Sequence, residues 1–266
     1  METFAEYILG EENLVSKVEI AYYLSKKAGI FFDKSVLFKT EIARQFIEYM
    51  KLDVDKNMLL TACLLCNCKK VDNAQKIGKL QTYAKEGATY LSELGFDKRF
   101  CKMCEEVNRY SKSNPRERES DILELVDQFG GMLLNRPERI GLQTEEALVL
   151  LQHRNLKDVY NRYLHTFVEF VSEMDSIEME EAGRTTPFKK IVKIYNETTD
   201  AKEFIRIIAY EYAPTVNTLV TKHRKGAANK MFDTQFHNPN RALFSEETTK
   251  KIMGHMDKIN ASSNEE

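Results

Sequence analysis

The chain has 266 residues, 42% of them hydrophobic and 30% charged, with a formal net charge of −2. These totals fit a folded protein that can bury a core without disulfides or metals. Near-neutrality excludes a molecule-wide attraction to nucleic acid or anionic lipid. No apolar run approaches the ~20 residues that cross a bilayer. The start, METFAEYILGEEN, lacks a basic segment and an export core, so the chain reads as cytoplasmic.

Glycine (11) and proline (5) are scarce, and apolar residues recur at helical rather than alternating spacing, which predicts helices throughout. Val15, Val18, Ala21, Tyr22 and Ser25 form one stripe, and Ile42, Phe46, Ile47 and Met50 form another that ends before Asp53. Residues 58–66, MLLTACLLC, are apolar on every side, as in a helix buried all round at the centre of a bundle. Residues 67–82 read as a polar connection. A helix over 87–94 is closed by Gly95, and Asp97 caps the next one, which runs to Val107. Residues 111–115 break the pattern, 121–134 resume it, and Thr144 caps TEEALVLL.

The clearest stripe runs from about 155 to 179: Leu156, Val159, Tyr163, Phe167, Phe170, Met174 and Ile177 share one face. Residues 183–187 form a boundary. Helices follow near 188–196 and over 200–212, where Asp200 and Glu203 make a capping pattern and Pro214 is the expected stop. A further helix ends at Gly226. Ser245 caps a final amphipathic helix through Ile259, with Ile252, Met253, Met256 and Ile259 on one side. A helix that short must dock its apolar face, and its own domain is the favoured surface, ahead of a second copy or another protein. Residues 261–266 are expected to be disordered.

Three segments together resemble the HD-GYP branch of the HD phosphohydrolase superfamily. ACLLCNCKKV (62–71) is similar to the apolar helix that ends in His-Asp and leads into Ile-Gly-Lys. YAKEGATYLSELGF (83–96) is similar to the helix that follows. ILELVDQFGGMLLNRPERIGLQTEEAL (122–148) resembles the late segment, where an Asp-bearing helix leads into an Arg-Pro turn and a Glu-Glu-Ala-Leu helix. The match covers roughly 35–170. It implies an HD-type helical bundle over 1–180, continued by a helical extension over 187–260.

In that family, His and Asp side chains hold metal ions that activate a water for attack on phosphorus. The resemblance places Phe38, Cys66, Asn67, Tyr83 and Asn108 where ligands would fall, and Asp127 alone survives. The Gly-Tyr-Pro loop is missing, and residues 1–152 contain no histidine at all. A metal needs several converging anionic or imidazole ligands. The resemblance therefore implies a non-catalytic relative with no resident metal or cofactor. Such a protein would act in signalling or as a scaffold, by binding a protein partner or its own copy, with a cyclic dinucleotide as a further possibility. The alternative is a divergent metal-dependent phosphohydrolase using an unrecognised site. Lys69, Lys70, Arg109, Arg136 and Arg139 lie at the mouth of the lost site and could bind an anion, although solvated charge is the commoner role of such residues.

Cys63-x-x-Cys66 and Cys101-x-x-Cys104 raise a zinc or iron–sulfur site. Zinc knuckles usually carry CxxC on glycine-bearing turns, however, and these pairs lie in helices, where cysteine packs as a small hydrophobe. Residues 183–242 hold eleven Lys/Arg against five Asp/Glu. KHRKGAANK (222–230) lacks interleaved aromatics, so nucleic-acid binding is not expected. The five histidines are scattered, and no phosphate-binding glycine loop or nucleophile elbow occurs.

Overall fold

A computed structural model describes residues 2–70, 83–107, 116–137, 139–155, 161–179, 185–223 and 242–263. Among them are thirteen α-helices and no strand, so the chain is an all-α protein. No described helix is long and apolar enough to cross a membrane.

Helix α1 (Phe4–Gly10) begins in a capping box: the Thr3 hydroxyl accepts from the Glu6 N–H at 3.1 Å, and the Glu6 carboxylate accepts from the Thr3 N–H at 2.7 Å. Helices α2 (Leu14–Ala28) and α3 (Lys34–Met50) start at Asn13 and Asp33, whose side chains each accept two backbone N–H groups. Gly29, at φ 63°, closes α2 in the left-handed conformation. Helix α4 (Lys56–Leu65) is buried from Met58 to Leu65, as an all-apolar run requires. Helices α5 (Tyr83–Glu93) and α6 (Lys98–Glu105) make a hairpin, with Asp97 capping α6 through the Phe100 N–H at 2.8 Å.

Helices α7 (Arg118–Leu133), α8 (Thr144–Asn155), α9 (Leu164–Asp175) and α10 (Pro187–Glu197) follow. Thr144 is the first helical residue rather than the cap. Gln143 precedes it, and the Gln143 N–H is taken by Glu146 at 3.1 Å. Leu156, Val159 and the boundary near 183 lie outside the described residues; of that stripe, Phe167, Phe170, Met174 and Ile177 are buried. α3 is the hub of the fold, packing on α4, α7, α9, α10 and α11 (Ala201–Ile207). A single core cluster runs from Phe4 to Met256, so Phe188, Ile191, Phe204 and Ile208 of the later helices pack with Phe46, Phe129, Phe167 and Phe170.

Pro214 does not end its helix. α11 continues through a π turn (Ile208–Tyr212) into α12 (Ala213–His223). Within this turn the Ala213 N–H reaches back five residues to the Ile208 carbonyl. Proline removes one N–H and crowds the carbonyl four residues earlier, and a wider turn absorbs both effects without breaking the helix. Tyr212 in that turn meets the core polar group of α3. Glu41 binds Arg44 through two hydrogen bonds of 2.9 and 2.7 Å, and Gln45 bridges Glu41 to the Tyr212 hydroxyl.

The last helix, α13 (Glu246–Ser263), is capped by Ser245, which accepts from the Thr248 N–H at 3.2 Å. It docks on its own chain. Ile252 and Met256 are buried against α2, Tyr23 bonds Thr249, Lys27 pairs with Asp257, and His255 stacks on Tyr7 with ring centroids 3.8 Å apart. The helix runs through residues 261–263 because Ala-Ser-Ser contains no glycine or proline to stop it; residues 264–266 lie outside the described set.

Candidate functional site

Several of the residues picked out by the resemblance meet around Asp127, in the C-terminal half of α7. Asn67, in the turn after α4, donates its Nδ2 to Asp127 Oδ1 at 3.1 Å. The same oxygen accepts from Lys39 Nζ at 2.6 Å. Lys39 is on α3, and its side chain is 7% exposed against 22% for Asp127. Burial opposes ionisation of Asp127. The charges of Lys39 and Lys70 and the hydrogen bonds from Lys39 and Asn67 outweigh it and bring its pKa down to about 2. The group is therefore a carboxylate at any physiological pH.

Tyr83, at the start of α5, lies against the same charge. Its phenol is pushed up by burial, then by Asp127 and Cys66, with Arg136 opposing. Cys63 and Cys66 are likewise pushed up by burial and then by Asp127. Asn67, Cys66, Tyr83 and Asp127 thus gather at one place in the fold.

Phe38 does not join them. It is fully buried and sits edge-to-face on Tyr195 of α10 at 5.7 Å, so it is a core residue tying α3 to α10. Its neighbour Lys39 takes the polar position. Sequence reading missed that residue. The available signal was a lysine in register with Ile42 and Phe46 on the apolar stripe of α3, where a cation has to be paired once buried.

The basic residues divide. Lys70 is half-buried near the cluster. Burial lowers its pKa first, Lys39 and Arg136 add repulsion, and Asp127 and Asp33 attract it. Arg136 is exposed, with its guanidinium against Gly131 of α7. Lys69 instead lies over the Tyr90 ring at 3.9 Å. Arg139 donates to the Met132 carbonyl at 3.0 Å and to the Gly131 carbonyl, finishing the C-terminal end of α7. Asn108 and Arg109 lie outside the described residues.

The two CxxC pairs come near each other, since Cys104 feels Cys66, Cys68 and Cys63. Burial nevertheless drives Cys63, Cys66 and Cys104 far towards the neutral thiol, and Cys68 up to about 11. Among the described residues, no group of three His, Cys, Asp or Glu side chains is arranged to hold a metal ion. A separate cavity of about 560 Å³, lined by Phe4, Leu24, Tyr90, Met256 and Ile259 among others, shares no residue with the Asp127 cluster.

No family model, curated protein or solved structure matches the chain.

Proposed function

We propose that this chain is a non-catalytic, HD-GYP-like signalling or scaffold protein that acts by binding rather than by phosphoester hydrolysis. The observation that carries the reading is the Lys39 ammonium, 2.6 Å from Asp127 Oδ1. A metal that activates water needs anionic or imidazole donors with free lone pairs. Here the one carboxylate already receives an internal cation and an amide N–H, and the groups beside it are a protonated thiol, an amide and a protonated phenol. Lysine supplies the positive charge that stabilises Asp127 in its buried setting, and it cannot deliver a hydroxide.

The expected mode of action is recognition of a protein partner, or of a second copy, by the helical surface. A cyclic dinucleotide is a second reading, supported by the positive charges of Lys70 and Arg136 near Asp127. The test is hydrolysis of bis-p-nitrophenyl phosphate with added manganese or iron. No turnover above the metal-only blank is expected, from the natural chain or from the Cys66→His, Asn67→Asp double variant. That variant gains two ligands, but Asp127 remains held by Lys39. Robust turnover by either protein would place the chain with the divergent hydrolases instead.

A further inference from the structure

Among the described residues, the large apolar side chains left in solvent are Ile140, 84% exposed, and Val149, 66% exposed. Both belong to one stretch, the turn that joins α7 to α8 and the outer face of α8. The turn is held in place. The backbones of Arg136 and Arg139 bond each other at 2.9 and 3.1 Å, and the Leu142 N–H donates to the Met132 carbonyl at 2.9 Å. The Gly141 N–H donates to Asn135 Oδ1 at 2.8 Å. A Cβ at 141 would stand 2.1 Å from the Leu133 carbonyl oxygen, so the turn can lie this close to α7 only with glycine there. Ile140 is therefore displayed outward from a fixed support.

Beside Ile140 lies a groove of about 440 Å³ between this turn and α10. Leu133, Leu142, Phe188 and Val192 line it, together with the exposed Lys189 and Lys193. Val149 has the opposite surroundings, since the exposed Glu145 and Glu146 flank it on α8. The two surfaces adjoin: the Glu146 carboxylate accepts from the N–H of Gln143, a groove residue, at 3.1 Å. One chain thus carries an apolar projection flanked by acids and an apolar groove flanked by lysines. We propose that this face is a homodimer interface, in which two copies pack about a two-fold axis. Val149 of each copy enters the groove of the other, and Glu145 and Glu146 meet Lys189 and Lys193 of the partner subunit. A two-fold axis makes every such contact twice from a single surface, so complementarity within one chain selects a second copy over an unrelated protein. Apolar groups at the centre with charges at the rim are the make-up of specific interfaces, and the charges fix the register. The inference deepens the reading above, and rests on it in taking the chain to act by binding.

The test is analytical ultracentrifugation of the full chain over a concentration series. A monomer–dimer equilibrium is expected, and Ile140→Asp and Val149→Asp should each raise its dissociation constant about tenfold or more. Both side chains are exposed, so neither substitution disturbs the core, and thermal melts establish that each variant is folded. Two charge reversals test the register. Glu145→Lys with Glu146→Lys, and Lys189→Glu with Lys193→Glu, should each weaken self-association, while an equal mixture of the two proteins should form a heterodimer tighter than either alone. Glu105→Lys, on an exposed face of α6, should leave the constant unchanged. A chain that stays monomeric to about 0.5 mM overturns the inference. So does a dimer indifferent to Val149→Asp, or a pair of charge-reversed proteins that do not associate on mixing. Hydrolysis of bis-p-nitrophenyl phosphate, measured on the same preparations, separates the two readings. A dimer of the expected pattern that turns over the ester refutes the non-catalytic reading and keeps the interface, and an inactive monomer does the reverse.

Discussion

Replacing Lys39 by methionine removes the ammonium from Asp127 and keeps the stem that fills the space beside Gly130. At 2.6 Å and an effective dielectric constant of about 20, the attraction lost is about 6 kcal/mol before desolvation is counted. Desolvating a lysine that is 7% exposed offsets much of this, and breaking a buried pair typically costs 3–5 kcal/mol. Asp127 keeps the Asn67 amide, the nearby Lys70 charge and 22% exposure, so a loss of about 2–3 kcal/mol is expected. The pH dependence provides an independent reading. With the folded pKa at about 2, below the ordinary carboxyl value of 3.8, the stabilisation is complete above roughly pH 4 and is lost as pH falls through 2. Without Lys39 the folded pKa rises, and this acid loss moves upward or vanishes. Urea unfolding at pH 7 and across pH 2–5 measures both effects. The double variant Lys39→Met, Asp127→Leu should recover most of the loss, because no charge is then left unpaired. A Lys39→Met protein that matches the natural chain within about 0.5 kcal/mol, with the same acid limb, refutes the pairing.

Three further outcomes follow from other parts of the fold. Lys17 is fully buried, donating to the Ile8 carbonyl at 2.6 Å and the Thr61 hydroxyl at 2.9 Å, and burial brings its pKa down to about 7. Between pH 7 and 10 the unfolded chain binds the extra proton, so this group makes stability rise with pH, by a few kcal/mol at most. Lys17→Met should abolish that slope, and identical urea midpoints for both proteins at pH 7 and pH 9 would contradict it. Deleting residues 245–266 uncovers the face that Ile252 and Met256 bury, which should cost about 3 kcal/mol and increase binding of a hydrophobic dye; an unchanged melting temperature would show that α13 contributes nothing to the fold. Finally, a native chain should offer Ellman's reagent one fast thiol, the half-exposed Cys101, and release the others only on unfolding. Rapid modification of Cys63, Cys66 or Cys104 would contradict their burial.

Much of the helical framework was legible because local chemistry decided it. Asp97, Asp200 and Ser245 cap helices as their spacing implies, and the all-apolar run at 58–65 is the buried α4. What was illegible depends on tertiary compensation. Pro214 reads as a stop until a π turn five residues long is available to absorb it. The Asp200–Glu203 capping pattern is closed by the Thr199 N–H, one residue earlier than the motif suggests. At the candidate site, Asn67, Cys66, Tyr83 and Asp127 come to one place, whereas Phe38 is a core residue next in sequence to Lys39, the side chain that reaches Asp127. Lys39 and Lys17 look like solvated charges in sequence. Only the packing of α3 on α7, and of α2 on α4, makes them buried amines with chosen acceptors.

If Lys39 occupies the Asp127 carboxylate in place of a metal, as proposed, the chain should retain no divalent cation. The natural chain is dialysed against manganese or iron, passed through a desalting column, and assayed by elemental analysis beside its own concentration. Only sub-stoichiometric metal that a mild chelator removes is expected. One tightly held ion per chain, lost on Asp127→Asn, would contradict it.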